Sequence, residues 1–233
     1  MRWTKTLSRN SRRKLADEIW VQREFGLNHS RLEYSAARRL EHISREIDLV
    51  GVLKQRVARL KRPLRFFDSG AALIGVSADL KKLFGDKVEI TALTLVHPNI
   101  STKSKRRVVR NAKHPERFYP IPTDDPKYAE LSAKFQKEHR KAIDAARKDV
   151  KLIDHLKVGL IENQSTRTKQ DVIFDYSGPL QHSLFAGRVA DQYYKMLPRG
   201  GIVITTTKCI PVLKGKRFKL IYSKASCAVF ERV

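Results

Sequence analysis

Two stretches of the chain carry residues suited to chemistry. The first is Leu64-Arg65-Phe66-Phe67-Asp68-Ser69-Gly70-Ala71-Ala72-Leu73-Ile74-Gly75, where an apolar run meets an acid, a glycine and tiny residues before an apolar helical pattern resumes. A strand, a turn of this kind and a helix start bring backbone N–H groups close to a ligand. The second runs from about His97 to Asp125, where Lys103, Lys105, Arg106, Arg107, Arg110, Lys113 and Arg117 precede Phe118, Tyr119, Pro120 and Pro122. Cations that track phosphates and rings that stack on bases are the two parts of a single-strand nucleic-acid site. The same residues also describe a basic loop pinned to a core by its two rings, and both readings fit.

The charge balance supports a polyanionic partner. Lys and Arg number 48 against 24 Asp and Glu, a net charge of +24 over 233 residues. Such a chain repels itself unless it meets counter-charge, and phosphate backbones are the commonest source, so RNA or a ribonucleoprotein is the expected partner. Arg38 and Arg39, on a predicted helix with Arg31, Arg45, Lys54, Arg56 and Arg59, can together track a backbone; any one of them taken singly reads first as part of a solvated helix face. Cys209 and Cys227 are too few and too far apart for a disulfide framework or a metal site, and no metal is expected. They read as reduced thiols in a cytoplasmic protein. No run approaches the roughly 20 apolar residues of a membrane helix. Met1 to Ala16 is basic and acid-free like an import leader, but Asp17-Glu18 and the helical pattern behind them favour a structural role.

These residues have to be positioned by elements, and the hydrophobic pattern supplies them. A short helix is expected from about Ser11 to Phe25. A longer one is expected over Arg31 to Leu60, where Leu32, Ala36, Leu40, Ile43, Ile47, Val50, Leu53, Val57 and Leu60 recur at spacings of three and four. Pro63 ends it. Strands follow at Leu64 to Phe67, Val88 to Val96, Leu156 to Ile161, Asp171 to Asp175 and Gly201 to Thr206. Helices near Ser77 to Phe84, Pro126 to Val150 and Ser183 to Leu197 separate them. A hairpin, Phe218 to Ser223 and Ser226 to Phe230 across Lys224-Ala225, closes the chain. Alternation of this kind builds a doubly wound, mostly parallel α/β sheet. The expected division is a basic N-terminal α-helical extension, 1–62, and a sheet domain, 63–233, with a basic insertion at about 97–125.

Three motifs carry a resemblance. Asp68-Ser69-Gly70-Ala71-Ala72 follows the first strand, Gln170-Asp171-Val172-Ile173-Phe174-Asp175-Tyr176-Ser177-Gly178-Pro179-Leu180-Gln181-His182 spans the fourth, and Leu197-Pro198-Arg199-Gly200-Gly201-Ile202 leads into the fifth. From about Leu64 to Val233 the chain resembles the class I S-adenosylmethionine-dependent methyltransferases, which have a Rossmann-like seven-stranded sheet. The closing hairpin looks like that family's last strands.

The resemblance implies S-adenosylmethionine as cofactor and assigns roles. Asp68, Ser69, Gly70 and Ala72 match the loop that wraps the cofactor's amino-acid part; Ala72 and Ile74 stand where the family has glycine. Thr94 matches the position of an acid that holds the ribose. Glu162 and Asn163 match the contact to the adenine amino group. Asp175 and Tyr176 match the place where acceptor meets methyl group, with Asp175 as base, Tyr176 as stacking platform and His182 behind them. Without the resemblance, Asp175 reads equally as a turn cap, Tyr176 as core and His182 as a helix-start residue. The implied function is methyl transfer to RNA or a ribonucleoprotein; the alternative is a catalytically silent RNA-binding module of the same fold.

Overall fold

A computed structural model describes residues 39–44, 46–71, 74–94, 144–158, 161–176, 178–183 and 185–233. The expected helix at Ser11 to Phe25, Arg31, Arg38 and Arg45, Ala72, the basic residues Lys103, Lys105, Arg106, Arg107 and Arg110, and Ser177 lie outside them.

Seven strands form one sheet: β1 (Leu64–Asp68), β2 (Val88–Thr94), β3 (His155–Val158), β4 (Val172–Asp175), β5 (Ile202–Thr206), β6 (Phe218–Lys224) and β7 (Cys227–Arg232). Their order across the sheet is β3-β2-β1-β4-β5-β7-β6. The first five are parallel, with Phe66 opposite Ile90 in β2 and Val172 in β4. β7 runs antiparallel between β5 and β6. Buried runs such as Ile202-Val203-Ile204 explain why the parallel strands are covered on both faces.

The helices are α1 (Leu40–Ser44), α2 (Leu49–Ala58), α3 (Gly75–Phe84), α4 (Pro179–His182), α5 (Ala186–Met196) and α6 (Ile210–Lys214), with a further helical stretch at 144–149. One face of the sheet packs Leu64, Phe66, Ile90 and Val172 against Ile43, Leu49, Leu53, Leu80 and Ala146. The other packs Phe67, Ile173, Val203 and Phe230 against Val189, Tyr193, Met196 and Leu213. Ile43, Ile47, Leu49 and Leu53 are thus part of the sheet's own core.

The single helix expected up to Leu60 is two helices among the described residues. The chain breaks between Ser44 and Leu49, where the Asp48 carboxylate accepts from the Gly51 N–H at 2.8 Å and caps α2. The expected third strand ends early, at Val158, and Ile161–Asn163 forms one 3-10 turn instead. Between that turn and β4 the described chain has no helix, so the β3 to β4 crossover is irregular. The helix expected from Ser183 starts at Ala186, with α4 ahead of it. Helix α6, absent from the sequence expectations, has Pro211 in its first turn. The hairpin turns at Ala225-Ser226, one residue later than expected, with Ala225 at φ 51°. A register shift between Leu220 and Tyr222 bulges β6.

Candidate active site at the carboxyl edge of the sheet

From β1 the chain crosses to β2 on one side, and from β4 it crosses to β5 on the other. The gap between the carboxyl ends of β1 and β4 is therefore the switch point where ligands of doubly wound sheets sit. Asp68-Ser69-Gly70 leaves one side of it and Asp175-Tyr176 the other.

The loop after β1 is latched to both neighbours. Ser69 donates to the Phe174 carbonyl from its N–H at 3.0 Å and its hydroxyl at 3.1 Å, and the Ala71 N–H donates to the Leu93 carbonyl at 3.1 Å. Gly70 is exposed, and a Cβ there would lie 2.8 Å from the Gly178 Cα, so the loops after β1 and β4 touch backbone to backbone. Ile74 takes the left-handed backbone (φ 54°) that a glycine adopts freely, and its side chain is fully buried in the α1–α3 core. Its bulk therefore lies in the core.

Asp68 is buried. One oxygen accepts from the Ser77 hydroxyl at 2.7 Å and the other from the Gly70 N–H at 3.3 Å. Burial pushes its carboxyl up to about 7, against those two bonds and with the Asp175 charge adding to the rise. Asp175 is fully buried: it accepts from the Gly178 and Leu180 N–H groups at 3.0 Å each and from the Tyr193 hydroxyl. Burial pushes it up to about 6 against those donors. Its three donors organise the turn into α4, which is what a cap does. Tyr176 stacks on Phe174 (6.1 Å, 10°), and its hydroxyl bonds to Glu46 and, at 2.8 Å, to Ser226. It joins three distant segments.

The other candidates lie apart. Thr94 is buried at the end of β2, opposite Val158. Glu162 is half-buried and Asn163 exposed on the 3-10 turn after β3. Burial pushes the Glu162 carboxyl up, opposed by its own N–H, Ser183 and Arg188. It lines a cavity of about 290 Å³ with Phe185, Arg188, Asp191, Gln192 and Lys195, beside α5. His182 is the last residue of α4. Arg39 is paired with Asp79 at 2.6 Å and Asp149 at 3.3 Å, an attachment within the molecule. The structure thus brings Asp68, Ser69, Gly70 and Asp175 together. It also adds Ser77, Tyr193 and Gly178, which sequence reasoning read as a helix-start residue, a core ring and part of a motif. Only their periodic placement was visible.

No family model matches the chain, and no curated protein matches it. Solved structures resemble its trace. TrmN from Thermus thermophilus is 16% identical over 78% of this chain and 48% of its own, with a TM-score of 0.44, so the chain spans about half of that protein's length. A TehB-like SAM-dependent methyltransferase from Corynebacterium glutamicum is 14% identical over 80% and 89% of the two chains, TM-score 0.45. A 1,6-didemethyltoxoflavin-N1-methyltransferase from Burkholderia thailandensis, solved with S-adenosylhomocysteine, is 12% identical over 78% and 76%, TM-score 0.45. Identities this low carry no information on substrate. What decides the architecture is the strand order, with an antiparallel seventh strand inserted between the fifth and sixth. This is the seven-stranded, mostly parallel sheet with a closing hairpin that the resemblance implies. In this sheet Asp68-Ser69-Gly70 runs off the end of β1 and Asp175-Tyr176 off the end of β4.

Among the described residues, no group of His, Cys, Asp and Glu is arranged to hold a metal ion, and no helix is long and apolar enough to cross a membrane. Cys209 and Cys227 are buried free thiols.

Proposed function

We propose that the chain is an S-adenosylmethionine-dependent methyltransferase acting on RNA or a ribonucleoprotein in the cytoplasm. The observation that carries this reading is the placement of an acid and an exposed glycine, Asp68 and Gly70, at the switch point of a methyltransferase-type sheet. The residues fit the cofactor's amino-acid part. Gly70 adds no side chain, and each Asp68 oxygen, with one donor apiece, keeps a lone pair for an ammonium group. Bound there, the cofactor supplies an activated methyl group. The chain's own part is to hold its cation against Asp68 and to align the acceptor near Tyr176, since methyl transfer depends mainly on alignment. Asp175, whose oxygens are engaged by three donors, acts in this reading by fixing the loop from Tyr176 to Leu180. Thr94 ends β2, Glu162 and Asn163 follow β3 at the same edge of the sheet, and in this reading they meet the adenosine part.

Asp68 makes the test specific. A carboxyl protonated below about pH 7 must release its proton when a cation binds beside it. Calorimetry with S-adenosylmethionine at pH 6, in two buffers of different ionisation heat, is expected to show proton release that Asp68→Asn abolishes.

A second reading is favoured by one observation, the backbone contact of Gly70 with Gly178, which closes the crevice between the two loops. It is a catalytically silent RNA-binding module of the same fold. No heat and no thermal shift at millimolar cofactor establishes it. A ligand at 100 times its Kd adds about 2.7 kcal/mol of stability, an effect too large to miss.

A further inference from the structure

Every one of the five parallel strands is preceded, within four residues, by an exposed cation: Lys61 before β1, Lys87 before β2, Lys151 before β3, Lys169 before β4 and Arg199 before β5. The strand order sets them in the sequence Lys151, Lys87, Lys61, Lys169, Arg199 along the amino edge of the sheet. At about 4.8 Å per strand the row is roughly 19 Å long. At the opposite edge the same strands end in Asp68, Thr94, Val158, Asp175 and Thr206, and among the described residues within four positions beyond those ends there is one exposed cation, Lys208.

The acids near the row are largely engaged already. Asp171 is held by the Arg62 fork at 2.7 and 2.8 Å, Asp154 by Lys81 at 2.8 Å and Asp149 by Lys82 at 2.7 Å. Among the described residues at this edge, Asp86 and Glu231, which lies opposite Ile202, are the acids without such a partner. Cations also complement helix carboxyl ends, which accounts for some of this placement at under about 1 kcal/mol each. That effect does not require five exposed cations in adjacent strands, with their neighbouring acids engaged elsewhere.

We propose that this amino edge is a phosphate-binding surface for RNA, separate from the crevice at the carboxyl edge. It rests on the RNA partner proposed above and adds where that partner is held. A row of point charges without exposed aromatic rings engages the backbone and leaves the bases unread. β1 is five residues long, so the row and the crevice stand about 17 Å apart. RNA held there is anchored while a different segment, or a different part of a ribonucleoprotein, reaches the crevice.

The test uses the full chain with two labelled probes, a 20-nucleotide poly(U) strand and a 20-base-pair RNA duplex, titrated by fluorescence anisotropy from about 50 to 300 mM KCl. The variant is Lys61→Gln, Lys87→Gln, Lys151→Gln and Arg199→Gln combined. Lys169 is kept, because its ammonium also donates to the Lys195 carbonyl. Each lost phosphate contact reduces the slope of log K against log salt by about 0.7 to 0.9. The combined variant is therefore expected to flatten the slope by roughly 3 and each single variant by just under one, with circular dichroism showing that each is folded at the titration temperature. If the wild-type chain binds either RNA and the combined variant keeps the wild-type slope, the edge is not the surface and the RNA reading survives alone. If the wild-type chain binds neither RNA, both fall. Binding to vesicles of phosphatidylserine, without RNA binding and lost in the variant, overturns the RNA assignment in favour of a membrane. Cofactor calorimetry on the same variant is expected to match the wild type, which separates this result from failure of the crevice.

Discussion

Asp175, the base that the resemblance implies, is also the anchor of the turn that follows it. It ends a strand in front of Tyr176 at the switch point, yet it is fully buried and held by two N–H groups and the Tyr193 hydroxyl. Tyr193→Phe removes one donor from a buried carboxyl and is expected to cost about 1–2 kcal/mol, read from urea midpoints. Because that bond favours the ionised form, the variant's Asp175 is also expected to titrate above about 6. Asp68 and Asp175 together set a pH dependence. Both carboxyls are raised from 3.8, to about 7 and about 6, so between roughly pH 4 and 7 the folded chain binds more protons than the unfolded one. Stability from these groups is therefore full below about pH 4 and is lost as pH rises through 6 and 7. Asp68→Asn is expected to lose less stability than wild type between pH 5 and 8; equal losses would show that Asp68 ionises normally. The strand ending at Asp175 was legible from its apolar run. Its burial was not, because that depends on Tyr193 in the following helix.

At the scale of elements, α1 and α2 are where the sequence pattern and the structure part most clearly. The apolar stripe through Ile43, Ile47, Val50 and Leu53 predicts continuous helix, and of the positions it selects Ile43, Ile47 and Leu53 are buried and Val50 partly so. The break at Glu46 has a cause no local pattern contains. The Glu46 carboxylate accepts from the hydroxyls of Tyr176 and Ser226, which are 130 and 180 residues away. Asp48 then restarts the helix with a side-chain cap. Since Leu53 is fully buried against the sheet, Leu53→Ala is expected to destabilise the whole domain by about 2–5 kcal/mol in a single cooperative transition. Two separate transitions would mean that the helices fold apart from the sheet, as the boundary expected at residue 62 implies. Helix α6, absent from the sequence expectations, does carry a signal, Pro211 in its first turn.

For the molecule as a whole, alternation of strands and helices was enough to predict a mostly parallel sheet, because the central strands β1, β4 and β5 are largely apolar runs and helix α5 has one apolar face. What the alternation did not contain is the asymmetry of the two sheet edges, which appears only when residues far apart in the chain are set side by side. The net charge of +24 acts on the whole fold through self-repulsion. Raising KCl from 20 to 200 mM is expected to raise the melting temperature by a few °C, about 1 kcal/mol, measured by circular dichroism. A fall on adding salt would point to ion pairs such as Arg62 with Asp171 as the dominant electrostatic term.

The bulge in β6 bears on a different matter, the behaviour of the chain at high concentration. β3 and β6 are the two outermost strands, and an outer strand offers unpaired backbone to any neighbour able to align with it. β3 is only four residues long and presents His155 and Lys157. β6 is seven residues long with Ile221 and Tyr222 exposed, the better template for stacking into fibrils. Its bulge falls beside those two residues, and Lys219 and Lys224 flank them, so the strand is kinked and charged where it would otherwise be stickiest. The sheet thereby protects itself against self-assembly at the margin where a flat strand would invite it.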